Sequence, residues 1–232
     1  MTKVAFQFSG GKDSAHALGR LLTDPRYEVT HLITLFDAAT DNCAVHAVPR
    51  SLMQAQARAI GLPLLSIDLD ADSLDGYGES LERITGELRA DGVETLAFGD
   101  LEHSGADRHR RELLSPLGIA VVEPLWGMTS AECMEAFLAS GIEAVTVVVD
   151  AAVLDREHVG RVLDREFVEE LPLGCDPCGE SGEYHSFVAW APYFRHRVDW
   201  SPGQVTRVER RIGTTEGPKM FAYWQLELRP GP

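Results

Sequence analysis

The chain has 232 residues, 44% apolar and 25% charged, which excludes disorder and collagen-like repeats and leaves room for one large domain or a medium one and a small one. No apolar run approaches the ~20 residues of a bilayer span, and the first residues lack signal-peptide organisation, so a soluble, cytoplasmic protein with no membrane partner is expected. Thirty-six acidic against 21 basic side chains leave a formal charge of −15, which argues against nucleic acid as a partner, and four cysteines are too few for a disulfide scaffold. Val4 to Phe8 reads as a short buried strand and Ser14 to Leu22 as a helix that stops near Asp24-Pro25. Val29 to Phe36 is a second strand, apolar enough to be covered on both faces. Arg50 to Ile60 follows as a helix with Gly61 as its left-handed cap. Leu64 to Leu69 is a third strand, Glu79 to Ala90 a third helix closed by Gly92. Thr95 to Phe98 and Ile119 to Val122 add strands around a helix at Arg108 to Leu114. This alternation predicts an α/β fold, a parallel sheet with helices on both faces.

Beyond Pro124-Leu125-Trp126 the pattern changes. Thr129 and Glu132 form a capping box for a helix running to about Ser140. Ala144 to Val149 is a β-branched strand, and an acidic amphipathic helix is expected over Glu157 to Leu171. Loops follow, then two strand-like runs, Val205 to Ile212 and Met220 to Leu228, joined as a hairpin through Gly213–Pro218. These features place a boundary near residue 125, giving a nucleotide-binding domain over 1–125 and a smaller α+β substrate domain over 126–232.

The strongest chemical signal is Ser9-Gly10-Gly11-Lys12-Asp13-Ser14, between the first strand and the first helix. Two glycines let backbone amides turn toward a ligand, and the helix points its open N–H groups at the same place. Ser9 and Ser14 add hydroxyl donors and Lys12 a positive charge. The result is a phosphate cradle at the carboxyl edge of a parallel sheet. It is not a Walker A loop, because Asp13 follows the lysine. A carboxylate beside phosphate repels it unless a cation intervenes, which points to Mg²⁺.

SGGKDS resembles the PP-loop of the ATP pyrophosphatases, which cleave ATP between the α- and β-phosphates and adenylate a substrate. Later segments narrow the resemblance. His46 and the run Gln56 to Leu64, then Phe98-Gly99-Asp100 with Arg108, Arg110 and Glu112, then Pro124-Leu125-Trp126, are similar to successive blocks of the diphthine–ammonia ligase family. The most specific is Cys178-Gly179-Glu180-Ser181-Gly182-Glu183-Tyr184-His185-Ser186-Phe187, followed by Pro192-Tyr193-Phe194. It is similar to that family's CGE-x-GEY signature, and the likeness runs from residue 3 to about 194.

The resemblance implies a HUP-like (adenine nucleotide alpha hydrolase-like) fold that takes ATP and Mg²⁺ and joins ammonia to an adenylated carboxylate. Ser9 to Ser14, Leu35, Phe36 and Gly99 are expected to hold ATP, with adenine near Leu35–Phe36. Asp13 and Asp100 would bind metal. Glu180, Gly182, Glu183, Tyr184, His185, Arg108 and Arg110 would meet the substrate. Lys12, Asp13, Glu180 and Glu183 would carry the chemistry, with free ammonium as nitrogen source and a small-molecule or protein-bound carboxylate as acceptor. A homodimer is allowed by the sequence. Glu180 and Glu183 sit among glycines, so two carboxylates can face a polar or cationic group; an acidic surface loop has the same composition. Cys175-Asp176-Pro177-Cys178 has redox or metal spacing but lacks a second such pair, and is read as a structural thiol pair. A tRNA-modifying or sulfur-transfer PP-loop enzyme and a non-enzymatic ATP-sensing module are the alternatives.

Overall fold

A computed structural model describes residues 1–44, 46–69, 76–101, 106–214 and 217–231, without the side chains of 106–109, 211–214 and 217–218. The first half alternates strand and helix: β1 (Thr2–Gln7), α1 (Lys12–Thr23), β2 (Tyr27–Asp37), the short β3 (Asn42–Cys43), α2 (Arg50–Ile60), β4 (Leu64–Leu69), α3 (Tyr77–Ala90), β5 (Thr95–Ala97), α4 (Ala106–Leu114) and β6 (Ala120–Val122). β2, β1, β5 and β6 are successive parallel neighbours, β4 lies parallel on the far side of β2, and β3 pairs antiparallel with the end of β2. The chain therefore builds outward from β1 through β2 to β4, then returns to β5 on β1's other side. The crevice between the carboxyl ends of β1 and β5 is the switch point where open α/β sheets bind ligands.

Alternation along β1 explains the layering. Val4 and Phe6 join Phe8 in a core shared with α1 and α2, while Ala5 faces a second core beneath α3 and α4. Gly61 closes α2 in the left-handed conformation, φ 85°, as its position predicts.

The second half is α5 (Ser130–Ala139), β7 (Glu143–Asp150), α6 (Arg165–Glu169), β8 (Tyr184–Trp190), β9 (Trp200–Thr214) and β10 (Gly217–Pro230), with an antiparallel sheet ordered β8-β7-β10-β9. The capping box of Thr129 and Glu132 is present at α5. Two expectations need correction. The helix over 157–171 is only the short α6, because Gly160 turns at φ 82° and Thr146 bonds the segment beside β7, receiving the amide of Arg161 at 3.1 Å. And 184–190, read as loop through its motif, is β8, paired along β7 from Tyr184 to Trp190.

The core of α1 and α2 runs without a break into that of the antiparallel sheet. Tyr193 donates its hydroxyl to Ala15 O of α1 at 2.7 Å, and the Arg195 amide reaches Ala59 O of α2 at 2.7 Å. Among the described residues no helix is long and apolar enough to cross a membrane.

Candidate active site

A cavity of about 340 Å³ opens at the switch point. Its floor is Ser9 with Lys12, Asp13 and Ser14, one wall is Phe98–Asp100 with Arg110, and its roof comes from the 178–186 segment; Gly10 and Gly11 do not line it. Gly10 sits at φ 79°, where L side chains are strained, and a Cβ there would lie 2.6 Å from Gln56 Oε1. Gly11 caps α1 without a side-chain bond, so the helix presents open N–H groups.

The loop is finished by the other half of the chain. The Val188 amide donates to Gly10 O at 3.0 Å, and the Lys12 amide donates to Ser186 Oγ at 3.0 Å. Gln56, fully buried on α2, gives its Nε2 to both Gly10 O at 3.0 Å and Val188 O at 2.7 Å. Neither Gln56 nor Ser186 has a role in the reading from sequence. The available signal for Gln56 was a polar residue on α2's apolar stripe, beside Leu52, Met53 and Ile60.

Lys12 is buried, with its ammonium 2.6 Å from Asp13 Oδ2, bonded to Cys178 O, and 5.1 Å from the centre of the Tyr184 ring. Burial alone would favour the neutral amine, but the adjacent Asp13 carboxylate outweighs it, and the ammonium holds its proton more tightly than usual. Glu180 faces the cavity. Burial, reinforced by the negative charge of Asp13, pushes its carboxyl up to about 7. On the opposite side, His46 and His185 pack with ring centres 5.0 Å apart. Burial keeps both below the ordinary histidine range, His185 well below, so both are neutral at pH 7. His46 Nδ1 lies 2.8 Å from Ser186 O, which places the proton on Nδ1.

Not every expected residue faces the cavity. Ser9, Lys12, Asp13, Ser14, Leu35, Gly99, Asp100, Arg110, Glu180, Gly182, Tyr184 and His185 do. Phe36 does not: it is fully buried, with the Arg50 guanidinium 3.8 Å over its ring. Glu183 is also turned away, accepting the amides of Asp176 at 3.1 Å and Ser181 at 2.9 Å, so it braces the roof loop. Tyr184 gives its hydroxyl to Pro177 O, leaving the ring face toward Lys12. Asp100 is held by both guanidinium nitrogens of Arg110, one at 3.1 Å, while Arg110 stacks on Phe98. Glu112 is exposed, and the side chain of Arg108 lies outside those described. Cys178 does not partner Cys175. It meets Cys133, because Cys175 Sγ turns to Asp176 O and the roof loop folds over α5.

Gly99 couples the two edges of the switch point. A Cβ there would lie 2.8 Å from Ser14 Cα and 3.1 Å from Ser14 N, both backbone atoms of α1's first turn. Gly99→Ala is expected to cost about 1–3 kcal/mol through overpacking and to weaken ATP binding by displacing the cradle. Urea unfolding and nucleotide titration would check it; unchanged ATP affinity would show that the cradle tolerates the shift.

The strand order and the loop after β1 make this a HUP-like α/β fold with its glycine loop at the switch point. The family model described as the diphthamide synthase N-terminal domain matches residues 2–115, and that of the diphthamide synthase C-terminal domain matches 129–217. The chain belongs to the diphthamide synthase family. Among curated relatives, the human protein named diphthine–ammonia ligase is 24% identical over 219 residues, covering 84% of this chain and 82% of its own. The zebrafish (Danio rerio) protein of that name is 26% identical over 222 residues, 84% of this chain and 85% of that one. The Schizosaccharomyces pombe protein of that name is 23% identical over 96% of this chain, which spans 41% of the yeast length. Among solved structures, the U34-tRNA thiolase NcsA from Methanococcus maripaludis with its [4Fe-4S] cluster aligns over 58% of this chain and 55% of that one, at 14% identity and TM-score 0.37.

Proposed function

We propose that this chain is an ATP-dependent ligase that adenylates a carboxylate and transfers ammonia to it, acting on diphthine or a related acceptor. The observation that carries the reading is the pairing of the Lys12–Asp13 cradle with Glu180, a carboxylate of raised proton affinity in the roof above it. Residues 1–125 would hold the nucleotide and 126–232 the acceptor. Leu35 and the adjoining backbone would meet adenine, without Phe36.

Three carboxylates of the lining, Asp13, Asp100 and Glu180, face two cations, Lys12 and Arg110. A polyphosphate entering such a cavity needs further positive charge, and oxygen donors suit Mg²⁺. Asp13 and Asp100 each already hold a basic partner, Lys12 and Arg110, so either would share its carboxylate between that partner and the ion. When bound, Mg²⁺ would shield the polyphosphate charge.

In the chemistry proposed, an acceptor carboxylate oxygen attacks the α-phosphorus and pyrophosphate leaves, its developing charge met by Lys12 and the α1 amides. Glu180 accepts a proton from ammonium, and the freed ammonia attacks the acyl carbon, expelling AMP. Glu180 also suits the cationic group of a diphthine-like acceptor, a part from which Glu183 is withdrawn by the Asp176 and Ser181 amides.

The product assay tests this. The protein with Mg·ATP, ammonium and acceptor extract should form AMP and pyrophosphate, dependent on ammonium and lost in Asp13→Ala. AMP without ammonium dependence would transfer the reading to another nucleophile, and ADP would end it.

A further inference from the structure

Beside the cradle, where Asp13 and Cys178 border the cavity, two cysteines, an aspartate and a histidine come together. Asp13 and His16 are three residues apart on α1 and so share one face. Cys133 comes from α5 and Cys178 from the roof loop. A carboxylate oxygen of Asp13 and the sulfurs of Cys133 and Cys178 all lie within 4.8 Å of one another. His16 Nδ1 lies 3.9 Å from Cys133 Sγ, its one hydrogen-bond partner among the described residues. The exposures of Cys133, Cys178 and His16 are 0%, 2% and 7%.

We propose that Asp13, His16, Cys133 and Cys178 bind one thiophilic divalent cation of the zinc type. Two thiolates, an imidazole and a carboxylate are the donor set of tetrahedral zinc and are wrong for Mg²⁺, which needs oxygen ligands in an octahedron. A tetrahedral zinc with ordinary bond lengths spaces its donors roughly 3.3–3.8 Å apart, so Asp13, Cys133 and Cys178 need to close by at most about 1–1.5 Å, and His16, outside that group of three, must swing in from its contact with Cys133. Charge also balances in this buried place: two thiolates and one carboxylate are offset by the dication and by the Lys12 ammonium bonded to Asp13. Binding converts two thiols to thiolates and releases two protons to solvent. The cation would tie α1, α5 and the roof loop at one point, holding Glu180 over the cradle.

The test uses the full-length protein, stripped with chelator and reduced, with no nucleotide. Cobalt(II) alone should bind one per chain, with thiolate-to-metal charge transfer in the near ultraviolet and intense tetrahedral visible bands, and zinc should displace it. In mild urea, where the buried thiols open transiently, zinc should slow alkylation of Cys133 and Cys178, and not of Cys175, as mapped by mass spectrometry. Cys133→Ser and His16→Ala should each weaken zinc binding by more than about 100-fold, since even outer-shell partners cost 10–100-fold. Cys175→Ser should change nothing. If Cys133→Ser fails to fold, the wild-type cobalt spectrum and alkylation map still decide. No charge-transfer band, a signal that needs Cys175, equal competition by Mg²⁺, or a reduced protein that takes up no metal and merely reoxidises to a Cys133–Cys178 disulfide would each overturn the proposal.

Discussion

Lys12→Met is expected to reduce AMP formation at saturating ATP by about 10³-fold while leaving the protein folded. Removing one preorganised donor from a developing oxyanion costs roughly 10²–10³-fold, and here the donor carries a full charge. The ammonium is already fixed by Asp13, Cys178 O and the Tyr184 ring, so in the proposed reaction it would meet the leaving pyrophosphate with little reorganisation. Because Asp13 keeps that proton tightly bound, Lys12 contributes no limb to the pH–rate profile. Methionine preserves the unbranched stem among its neighbours. The Asp13 side chain, 27% exposed, can turn to water once its partner is gone, so the stability loss should stay near 1–3 kcal/mol. Urea denaturation beside single-turnover kinetics separates the two effects. A rate loss under tenfold would mean that Lys12 organises the roof loop and does not touch phosphate.

Glu180→Gln is expected to cost about 10²–10⁴-fold in ammonia transfer, the usual range for a lost general base. The wild-type rate at fixed free ammonia should rise through a limb near pH 7 or above, since burial and Asp13 hold the Glu180 proton and bound ATP adds negative charge. The variant should lose that limb. Stability should move the other way. Below the ordinary glutamate range both folded and unfolded states are protonated and Glu180 carries no penalty. As pH rises toward 7 the unfolded chain ionises while the folded one resists, so wild-type stability falls. Glu180→Gln should therefore gain stability relative to wild type at pH 8 and not at pH 4. A retained kinetic limb in the variant would assign the titration elsewhere.

The parallel half of the fold was legible because its signals are local. The strand, the Ser9–Ser14 loop and α1 are contiguous, and Gly61 and Gly92 mark helix ends through a backbone preference that needs no tertiary context. The roof was legible only as a motif. Glycines around Glu180 and Glu183 allow close approach, yet nothing local says which carboxylate turns inward; that depends on the amides of Asp176 and Ser181 capturing Glu183. Proximity in sequence also misled. Cys175 and Cys178 have an attractive spacing, but α5 brings Cys133 to Cys178 from 45 residues away. Gly160 breaks the 157–171 segment although the amphipathic pattern runs on through it, an interruption that periodicity alone does not register.

The clamp between Gly10 and β8 has a consequence for how the protein is made. The Ser9–Ser14 loop is made early, but Ser186 and Val188, which complete it, are translated 174 residues and more later. At 5–20 residues per second, roughly 9–35 s separate the two on the ribosome. Through that interval the nascent chain carries a glycine loop with no clamp and the exposed apolar face of α1 and α2. Without that clamp and the roof the loop offers nucleotide fewer contacts than the finished site, so ATP is expected to stabilise the half-made chain less than the completed protein. ATP would then favour completion: a chain truncated before β8 is expected to gain less from it and to be left to chaperones and proteases.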